Sequence, residues 1–428
     1  MKYNKNIHVF GGGTVAHISN HFAITAPAYG STAFKLANLC RKRFSCYVWT
    51  ELTRMAGGAR METNEDIFKR IKELKEIPDT KIIFLNCALC DWEPNYLELE
   101  DDTGKITGTV ELGKYAPRLS SRGPSPYVTV NPADKVVNTI REGRKDIFLV
   151  AFKATCGATK QEMYEKGLRL CKEGSCNLVL INDTKTHWNM IITPEEAAYH
   201  ETQDRDEVLK NLVDMTFYRS QLTFTQSTVV DGHPVKWDDA IVPHALRTVV
   251  DHCVKKNAYK PFKDATVGHF ACKLADDEFL TSIRKSNFNK LYETGLVKVK
   301  TDGPDTVIAY GAKPSVGGQS QRRVFKDHPG YDCIVHFHCP LRPDALHSIP
   351  VRSQREVECG SHQCGQNTSD GLMEYPEYGV KAVYLDQHGP NIVFNKDADS
   401  NKVIEFIEKN FDLEQKTGGY QLSAENKT

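Results

Sequence analysis

The chain has 428 residues, of which 40% are hydrophobic and 26% are charged, with 55 basic and 55 acidic side chains. This length is typical of two or three domains, and a formal net charge of zero argues against a nucleic-acid partner, which usually requires a basic excess. No run approaches the about 18 apolar residues of a membrane span, and the first residues lack the apolar core of a signal peptide. We therefore expect a soluble, cytoplasmic protein with no membrane partner.

Strands and helices alternate through the first half of the chain. Short apolar runs predict strands at residues 7–10, 46–49, 81–85, 147–151 and 177–181. Apolar residues at helical spacing predict helices over residues 31–44, 65–74, 132–140, 160–171 and 206–218. Apolar strands that alternate with amphipathic helices indicate a Rossmann-like α/β domain, in which a parallel sheet is covered on both faces. Ligands of such domains bind at the carboxyl ends of the strands.

Glycine and polar residues collect where these strands end. The first strand is followed by Gly11, Gly12, Gly13 and Thr14, and the third is followed after a few residues by Asp91. The last two strands of the set end in the pairs Phe152-Lys153 and Asn182-Asp183. Glycines let backbone N–H groups approach a phosphate closely. Each cluster alone is equally typical of a turn or a helix cap, but four in succession favour a nucleotide site.

Six stretches of the first half occur in the order that one ligase family shows: residues 18–21, 88–92, 118–123, 131–132, 150–155 and 177–183. Through them, residues 5–220 resemble phosphopantothenoylcysteine synthetase, also called phosphopantothenate–cysteine ligase. The resemblance implies a step of coenzyme A biosynthesis, in which CTP or ATP with Mg²⁺ activates the carboxylate of phosphopantothenate and cysteine then displaces the nucleotide. Such catalysis depends mainly on positioning and on electrostatic stabilisation of the triphosphate.

The same resemblance implies roles for individual residues. Asn20 would hold the acyl intermediate, Arg118 stands where the family has a lysine over the triphosphate, and Asp91 would lie near the nucleotide. The residues expected to hold the nucleotide are Gly11, Gly12, Gly13, Thr14, Phe152, Lys153, Asn182 and Asp183. Two departures, the loop at residues 22–30 and Ala16 in place of an arginine, leave both the acid and the amine open.

Three histidines mark the second half of the chain. His336 and His338 lie two residues apart in an apolar run that predicts a strand, so their side chains should project to the same face. His388 follows a second apolar run, at residues 380–385, and precedes Gly389. If the two runs lie close together, three imidazoles converge, and three imidazoles with an open fourth position form a common catalytic zinc site. A single H-x-H pair is weak evidence, because buried histidines are more often ordinary core residues.

Residues 240–410 resemble the class II aldolase/adducin family, whose H-x-H and later H-G motifs supply zinc ligands. The resemblance implies an α/β/α domain with Zn²⁺, or another divalent metal, bound by His336, His338 and His388. The family's acid/base glutamate should lie 19 residues before His336, where this chain has Gly317. Gln319, Asp344 and His362 are candidate substitutes among which the sequence does not choose.

Together these patterns predict two domains, at residues 1–225 and 235–414, and a polar tail at residues 415–428. The function they favour is a nucleotide-dependent carboxylate-activating ligase fused to a metal-dependent lyase or epimerase-like module. Its partners would be small molecules: an acid like phosphopantothenate, an amine like cysteine, and a sugar phosphate. We also expect a homo-oligomer. Two alternatives remain open: a ligase that acts on another acid and amine, and a non-catalytic binding or structural protein of the adducin type.

Overall fold

The computed structural model describes residues 5–315 and 318–422, with the side chains of residues 318–320 excluded. Contacts between Cα atoms divide the chain into two compact units. The first unit comprises Met1–Pro194 and His200–Ser220, and the second comprises Glu195–Tyr199 and Gln221–Thr428. The chain therefore enters the second unit for five residues, returns to the first, and leaves it again after Ser220.

The first unit is a parallel sheet with helices against it. Its strands are β1 (Asn6–Gly13), β2 (Val15–Ser19), β3 (Phe22–Thr25), β4 (Tyr47–Leu52), β5 (Thr80–Ala88), β6 (Trp92–Glu100), β7 (Ile106–Thr109), β8 (Ser125–Pro132), β9 (Phe148–Thr155), β10 (Leu178–Asp183), β11 (Asn189–Ile192) and β12 (Ala198–Thr202). Its helices are α1 (Ser31–Arg43), α2 (Asn64–Lys75), α3 (Val136–Ile140), α4 (Lys160–Glu173) and α5 (Arg205–Arg219). The main sheet has the order β12-β11-β10-β9-β5-β1-β4.

Burial on both faces explains the continuous apolar runs of this sheet. β4, β1, β5, β9 and β10 are parallel neighbours, and Val9, Phe84 and Val150 in its centre are 0% exposed. A strand covered by helices on both faces has no polar side to alternate with. Two helices begin in capping boxes, at Thr63 and Thr159, whose side chains accept hydrogen bonds from the first turn.

The predicted α/β class is confirmed, while several elements differ from the sequence prediction. The predicted helix at residues 132–140 begins only at Val136, because Pro132 ends β8 and pairs with Trp92 in a separate sheet of order β7-β6-β8. The three glycines lie within β1 rather than after it. β11 runs antiparallel to β10, so the sheet is mixed at that edge.

The second unit is built on a largely antiparallel sheet. Its strands are β13 (Gln226–Val230), β14 (Pro261–Phe262), β15 (Ala265–Thr266), β16 (His269–Lys273), β17 (Glu278–Ser282), β18 (Leu296–Thr301), β19 (Thr306–Tyr310), β20 (Cys333–His336), β21 (Val351–Arg352), β22 (Met373–Tyr375), β23 (Val380–Leu385) and β24 (Gly389–Phe394). Its helices are α6 (His244–Lys255), α7 (Leu291–Thr294), α8 (Gly318–Asp327), α9 (His362–Gly371) and α10 (Ser400–Asn410). The sheet has the order β13-β19-β18-β17-β16-β20-β24-β23-β21.

Apolar side chains cover both faces of this sheet. One cluster joins it to α6 and α10 through Val249, Phe270 and Phe406, and a second joins it to α8 through Val324. Beyond α10, Lys416 and Thr417 are 3% exposed, so the region predicted as a polar tail is packed where it begins. Within residues 5–315 and 318–422, no helix combines the length and apolar character that a membrane crossing needs.

Candidate functional site

Neighbouring strands bring the three histidines of the second unit together. His336 is the last residue of β20, and His338 lies just beyond the strand end rather than within it. β20 pairs with β24, and β24 pairs with β23. His388 lies in the turn that joins β23 to β24, so this hairpin carries it beside the end of β20.

The three imidazoles form a compact, buried cluster. One ring nitrogen from each of His336, His338 and His388 lies within 4.8 Å of the others. The ring centroid of His388 is 4.5 Å from that of His336 and 4.6 Å from that of His338. The three residues are 1%, 7% and 2% exposed, respectively. The structure thus collects the three residues that the sequence predicted as metal ligands.

Hydrogen bonding fixes which nitrogen of His336 faces the cluster. Its Nδ1 lies 2.7 Å from the carbonyl oxygen of Pro390, so Nδ1 carries the proton and donates it. Its Nε2 is buried without a hydrogen-bond partner in the described part of the chain. Burial lowers the pKa of His336 well below its ordinary value, and the neighbouring His388, His269 and His338 lower it further. A neutral ring with a free lone pair is the form that binds a metal ion.

A carboxylate lies against the second histidine. His338 Nδ1 lies 3.2 Å from Glu196 Oε2, and both side chains are buried. A proton on Nδ1 donated to this carboxylate leaves the lone pair on Nε2. Outer partners of this kind hold metal-binding imidazoles in one tautomer and orientation. Sequence inspection missed Glu196, because it precedes His338 by 142 residues and carries no local motif.

A fourth histidine lies against the cluster. His269 pairs with His336 across β16 and β20, and their ring centroids are 4.7 Å apart. Its Nδ1 lies 2.6 Å from the side-chain amide of Gln321, which also contacts the hydroxyl of Thr281. Burial, followed by the electrostatic effect of the neighbouring His338 ring, lowers the pKa of His269 to about 3, so the His269 ring is neutral. No sequence pattern distinguished His269 from an ordinary core residue.

The donor set suits a divalent metal ion of the first transition row. Three neutral imidazoles are ligands that zinc, copper, iron and nickel accept, and a metal ion at this place would give the unpartnered Nε2 of His336 a partner. Gly317, which replaces the family glutamate, and the side chain of Gln319 lie outside the described residues. Asp344 is exposed, and His362 contacts Thr225 and Asp305. The positions of Asp344 and His362 therefore identify neither residue as a substitute acid or base.

In the first unit, the glycines at the end of β1 are required by the protein's own packing. A Cβ atom on Gly13 would lie 1.9 Å from the carbonyl oxygen of Ala26, and one on Gly12 would lie 2.1 Å from Thr53 Oγ1. Gly12 also has φ +102°, a conformation that favours glycine. These positions therefore need glycine whether or not a phosphate binds nearby.

Two further predicted nucleotide-binding residues hold loops together. Thr14 Oγ1 donates to Asn64 Oδ1 and accepts a hydrogen bond from the backbone N–H of Cys90. The Asp183 carboxylate accepts hydrogen bonds from the backbone of residues 157, 158, 185 and 186. Burial alone would raise the pKa of Asp183, but these bonds and the Thr155 hydroxyl hold it well below its usual range. Thr14 and Asp183 therefore stabilise the loops at the strand ends through hydrogen bonds within the protein.

The other predicted residues of the first unit are more accessible. Phe152 and Lys153 lie within β9 rather than after it, Asn182 is the second-last residue of the adjacent β10, and all three are half-buried. Asn20 and Arg118 are exposed. They lie on neighbouring segments, because the backbone N–H of Asn20 donates to the carbonyl of Ala116, two residues before Arg118.

Asp91 is also exposed, but its carboxylate is engaged by another side chain. It forms an ion pair with Lys135, whose Nζ lies 2.5 Å from the carboxylate. A role for Asp91 beside a nucleotide would therefore involve Lys135 as well.

Comparisons with solved structures found likenesses to each half. The first half is similar to the DNA/pantothenate metabolism flavoprotein from Streptococcus pneumoniae, with 16% identity, 49% of this chain and 96% of that chain covered, and a TM-score of 0.40. It is also similar to the C-terminal domain of a bifunctional coenzyme A biosynthesis protein, with 13% identity, coverages of 50% and 94%, and a TM-score of 0.37.

The second half is similar to L-fuculose-1-phosphate aldolase from Thermus thermophilus, with 19% identity, coverages of 42% and 92%, and a TM-score of 0.30. At these identities and scores, none of the structural likenesses carries a conclusion about activity. A comparison with curated proteins found no match.

A family model gives a more specific assignment for the second half. Residues 250–413 match the model described as Class II Aldolase and Adducin N-terminal domain. The matched segment runs from α6 to just beyond α10. By its sequence, this segment is similar to that family, and all three histidines of the cluster lie within it.

Proposed function

We propose that the second unit is a metal-dependent enzyme domain whose ion is held by His336, His338 and His388. The observation that carries this proposal is the convergence of three buried ring nitrogens within 4.8 Å. Two of the rings have their outer nitrogens bonded to oxygen acceptors, Pro390 O and Glu196 Oε2. Three such ligands leave a coordination position for a substrate.

Zinc is the ion that this ligand set favours. When bound, it would supply Lewis-acid polarisation of a carbonyl or hydroxyl oxygen on a small substrate, such as a sugar phosphate. The protein's own residues would fix the ligand tautomers and keep water out of the buried side of the site. Gly317 carries no acid/base group, so lyase or epimerase chemistry here needs a proton carrier other than the family glutamate.

The test is metal content and affinity in the full-length protein. We expect about one tightly held divalent ion per chain, measured by elemental analysis, and an affinity at least about 100-fold weaker in His336→Ala, since even outer-shell partners contribute 10- to 100-fold. The matched control is His347→Ala, an exposed histidine outside the cluster. A protein that holds no metal, and whose His336→Ala variant is equally stable, would favour the non-catalytic, adducin-like alternative.

We propose a second activity for the first unit: nucleotide-dependent activation of a carboxylate, as in phosphopantothenate–cysteine ligase. It is supported by Phe152, Lys153 and Asn182, which are partly exposed in the carboxyl-terminal halves of the neighbouring parallel strands β9 and β10. Asn20 and Arg118 supply exposed polar groups on two neighbouring segments of the same unit. An amide donor and a guanidinium are suited to an acyl phosphate and to a triphosphate, respectively.

Pyrophosphate release tests this second activity. The protein would be given CTP or ATP with Mg²⁺ and 4′-phosphopantothenate, with and without cysteine. We expect release that depends on the acid, and a rate on the order of 100-fold lower in Asn20→Ala, which lacks the amide donor. Asn38→Ala, on the exposed face of α1, is the control. An absence of release with both nucleotides would mean that the unit acts on another acid or is not a ligase.

A further inference from the structure

The segment Glu195–Tyr199 belongs to the second unit, although the residues on both sides of it belong to the first. It follows β11, includes the first two residues of β12, and is held within the second unit by several hydrogen bonds. The Glu195 carboxylate accepts a hydrogen bond from the backbone N–H of Cys359 at 2.7 Å. The Tyr199 hydroxyl donates to the carbonyl of Asp386, two residues before His388. These contacts fix the segment relative to one metal-ligand candidate.

The C-terminal region ties the same segment to a second ligand candidate. Lys416 Nζ donates to the carbonyl of Glu196 at 3.2 Å, and the backbone N–H of Thr417 donates to the carbonyl of His338 at 3.0 Å. Glu196 and His338 are thus held by adjacent residues. Their side chains meet at 3.2 Å, between Oε2 and Nδ1.

Two features of Glu196 require explanation. Its backbone has φ +69°, a conformation that is uncommon for residues other than glycine. Its side chain is only 2% exposed, and burying a carboxylate is unfavourable unless the charge is compensated. Backbone strain that persists in a folded protein is often found where a side chain must be aimed at a functional site. Here the strained residue aims a buried carboxyl group at His338.

We propose that Glu196 is the positioning residue of the metal centre, an inference that rests on the proposed metal-binding function. Its carboxylate accepts the Nδ1–H of His338 and holds the ring in the tautomer whose Nε2 bears the lone pair. The negative charge also compensates part of the ion's charge in a cluster whose three ligands are neutral. The first half of the sequence therefore supplies one group of the second unit's site.

Cobalt(II) binding to full-length protein tests this role, because Co²⁺ reports affinity and ligand geometry in one absorption spectrum. Glu196→Gln keeps an oxygen that can accept the Nδ1–H but removes the charge. We expect its Co²⁺ and Zn²⁺ affinities to fall on the order of 10- to 100-fold, the range measured for outer-shell partners, with a shifted cobalt spectrum. Glu196→Asp, which keeps the charge on a shorter side chain, should recover part of the affinity.

Glu195→Gln is the matched control. It makes the same change of charge one residue earlier, while its oxygen can still accept the bond from Cys359 N–H. We expect its metal affinity to stay within about twofold of wild type, because the contact that anchors Glu195 is with the backbone of Cys359. Unfolding of each protein is measured without metal and again after metal is added. A structural effect changes the stability of the metal-free protein, whereas a positioning effect changes the stabilisation gained on adding metal.

The possible results distinguish the proposed metal-binding function from the proposed role of Glu196. Wild-type protein that binds no Co²⁺ would overturn the proposed metal function and Glu196's role with it. Wild-type binding that Glu196→Gln leaves unaltered in both affinity and spectrum would overturn the role of Glu196 alone. Should the Gln variant not fold, Glu196→Asp decides, and an affinity and spectrum equal to wild type despite its shorter reach would contradict the proposal.

Discussion

At Asp183, one carboxylate organises the turns that follow two neighbouring strands. It binds the backbone N–H groups of Gly157 and Ala158 after β9, and those of Lys185 and Thr186 after β10. Its pKa is held well below its usual range by these bonds, in spite of the opposing effect of burial. A residue that resembles a ligand contact in the sequence is, in the structure, a support for the edge at which a ligand would bind.

We predict that Asp183→Asn lowers the stability of the first unit at neutral pH, because an NH₂ group would face backbone N–H groups. A carboxyl whose pKa falls on folding stabilises the protein above its unfolded-state pKa, near 3.8, and loses that contribution as the pH drops further. The difference between variant and wild type should therefore be full at pH 7 and shrink below about pH 4.

Urea unfolding at a series of pH values measures this difference. Asp102→Asn makes the same chemical change at an exposed turn position and should leave the unfolding midpoint unchanged. A destabilisation by Asp183→Asn that is equally large at pH 7 and pH 3.5 would contradict the assignment to the carboxylate charge.

On the scale of secondary structure, the hairpin of β23 and β24 places His388. Gly389, the first residue of β24, has φ +136°, and a Cβ there would lie 2.1 Å from the carbonyl oxygen of Phe337. The hairpin therefore packs backbone against backbone at the point where β20 delivers its two histidines. The spacing between His388 and the H-x-H pair depends on this contact.

We predict that Gly389→Ala forces β24 away from Phe337 and weakens metal binding by at least about tenfold, the lower end of the effect of disturbing a ligand's surroundings. Gly379→Ala is the control, because Gly379 also has positive φ, at +66°, but has open space where a Cβ would lie. The control should show only the about 1–2 kcal/mol cost of a left-handed backbone. Equal metal affinities in the two variants would count against this role of the hairpin.

At the scale of the whole molecule, local patterns predicted the elements better than the contacts between them. The apolar run at residues 81–85 lies within β5, and residues 380–385 form β23 as the pattern indicates. The three histidines were identifiable because a period of two and an H-G turn are local features. β6, β7 and β8 were missed, since their mixed polar and apolar residues form a sheet that lies apart from the main one.

Glu196 could not have been predicted in the same way. Its partner is 142 residues away, and the Thr-Pro-Glu-Glu sequence around it reads as an ordinary surface turn. The same holds for His269, whose position opposite His336 depends on the pairing of β16 with β20. Periodicity places a side chain on one face of its own strand, but the neighbours of that face are decided by topology.

Residues 195–199 belong to the second unit although residues of the first unit lie on both sides of them in the sequence. This arrangement limits how the two units could be exchanged by gene rearrangement. A gene rearrangement that exchanged everything up to Ser220 would replace Glu195–Tyr199 along with the first unit. The descendant would retain all three histidines and the whole segment that matches the family model, yet it would acquire a foreign group beside His338. Exchange of the two units is therefore constrained by five residues that the apparent boundary does not include.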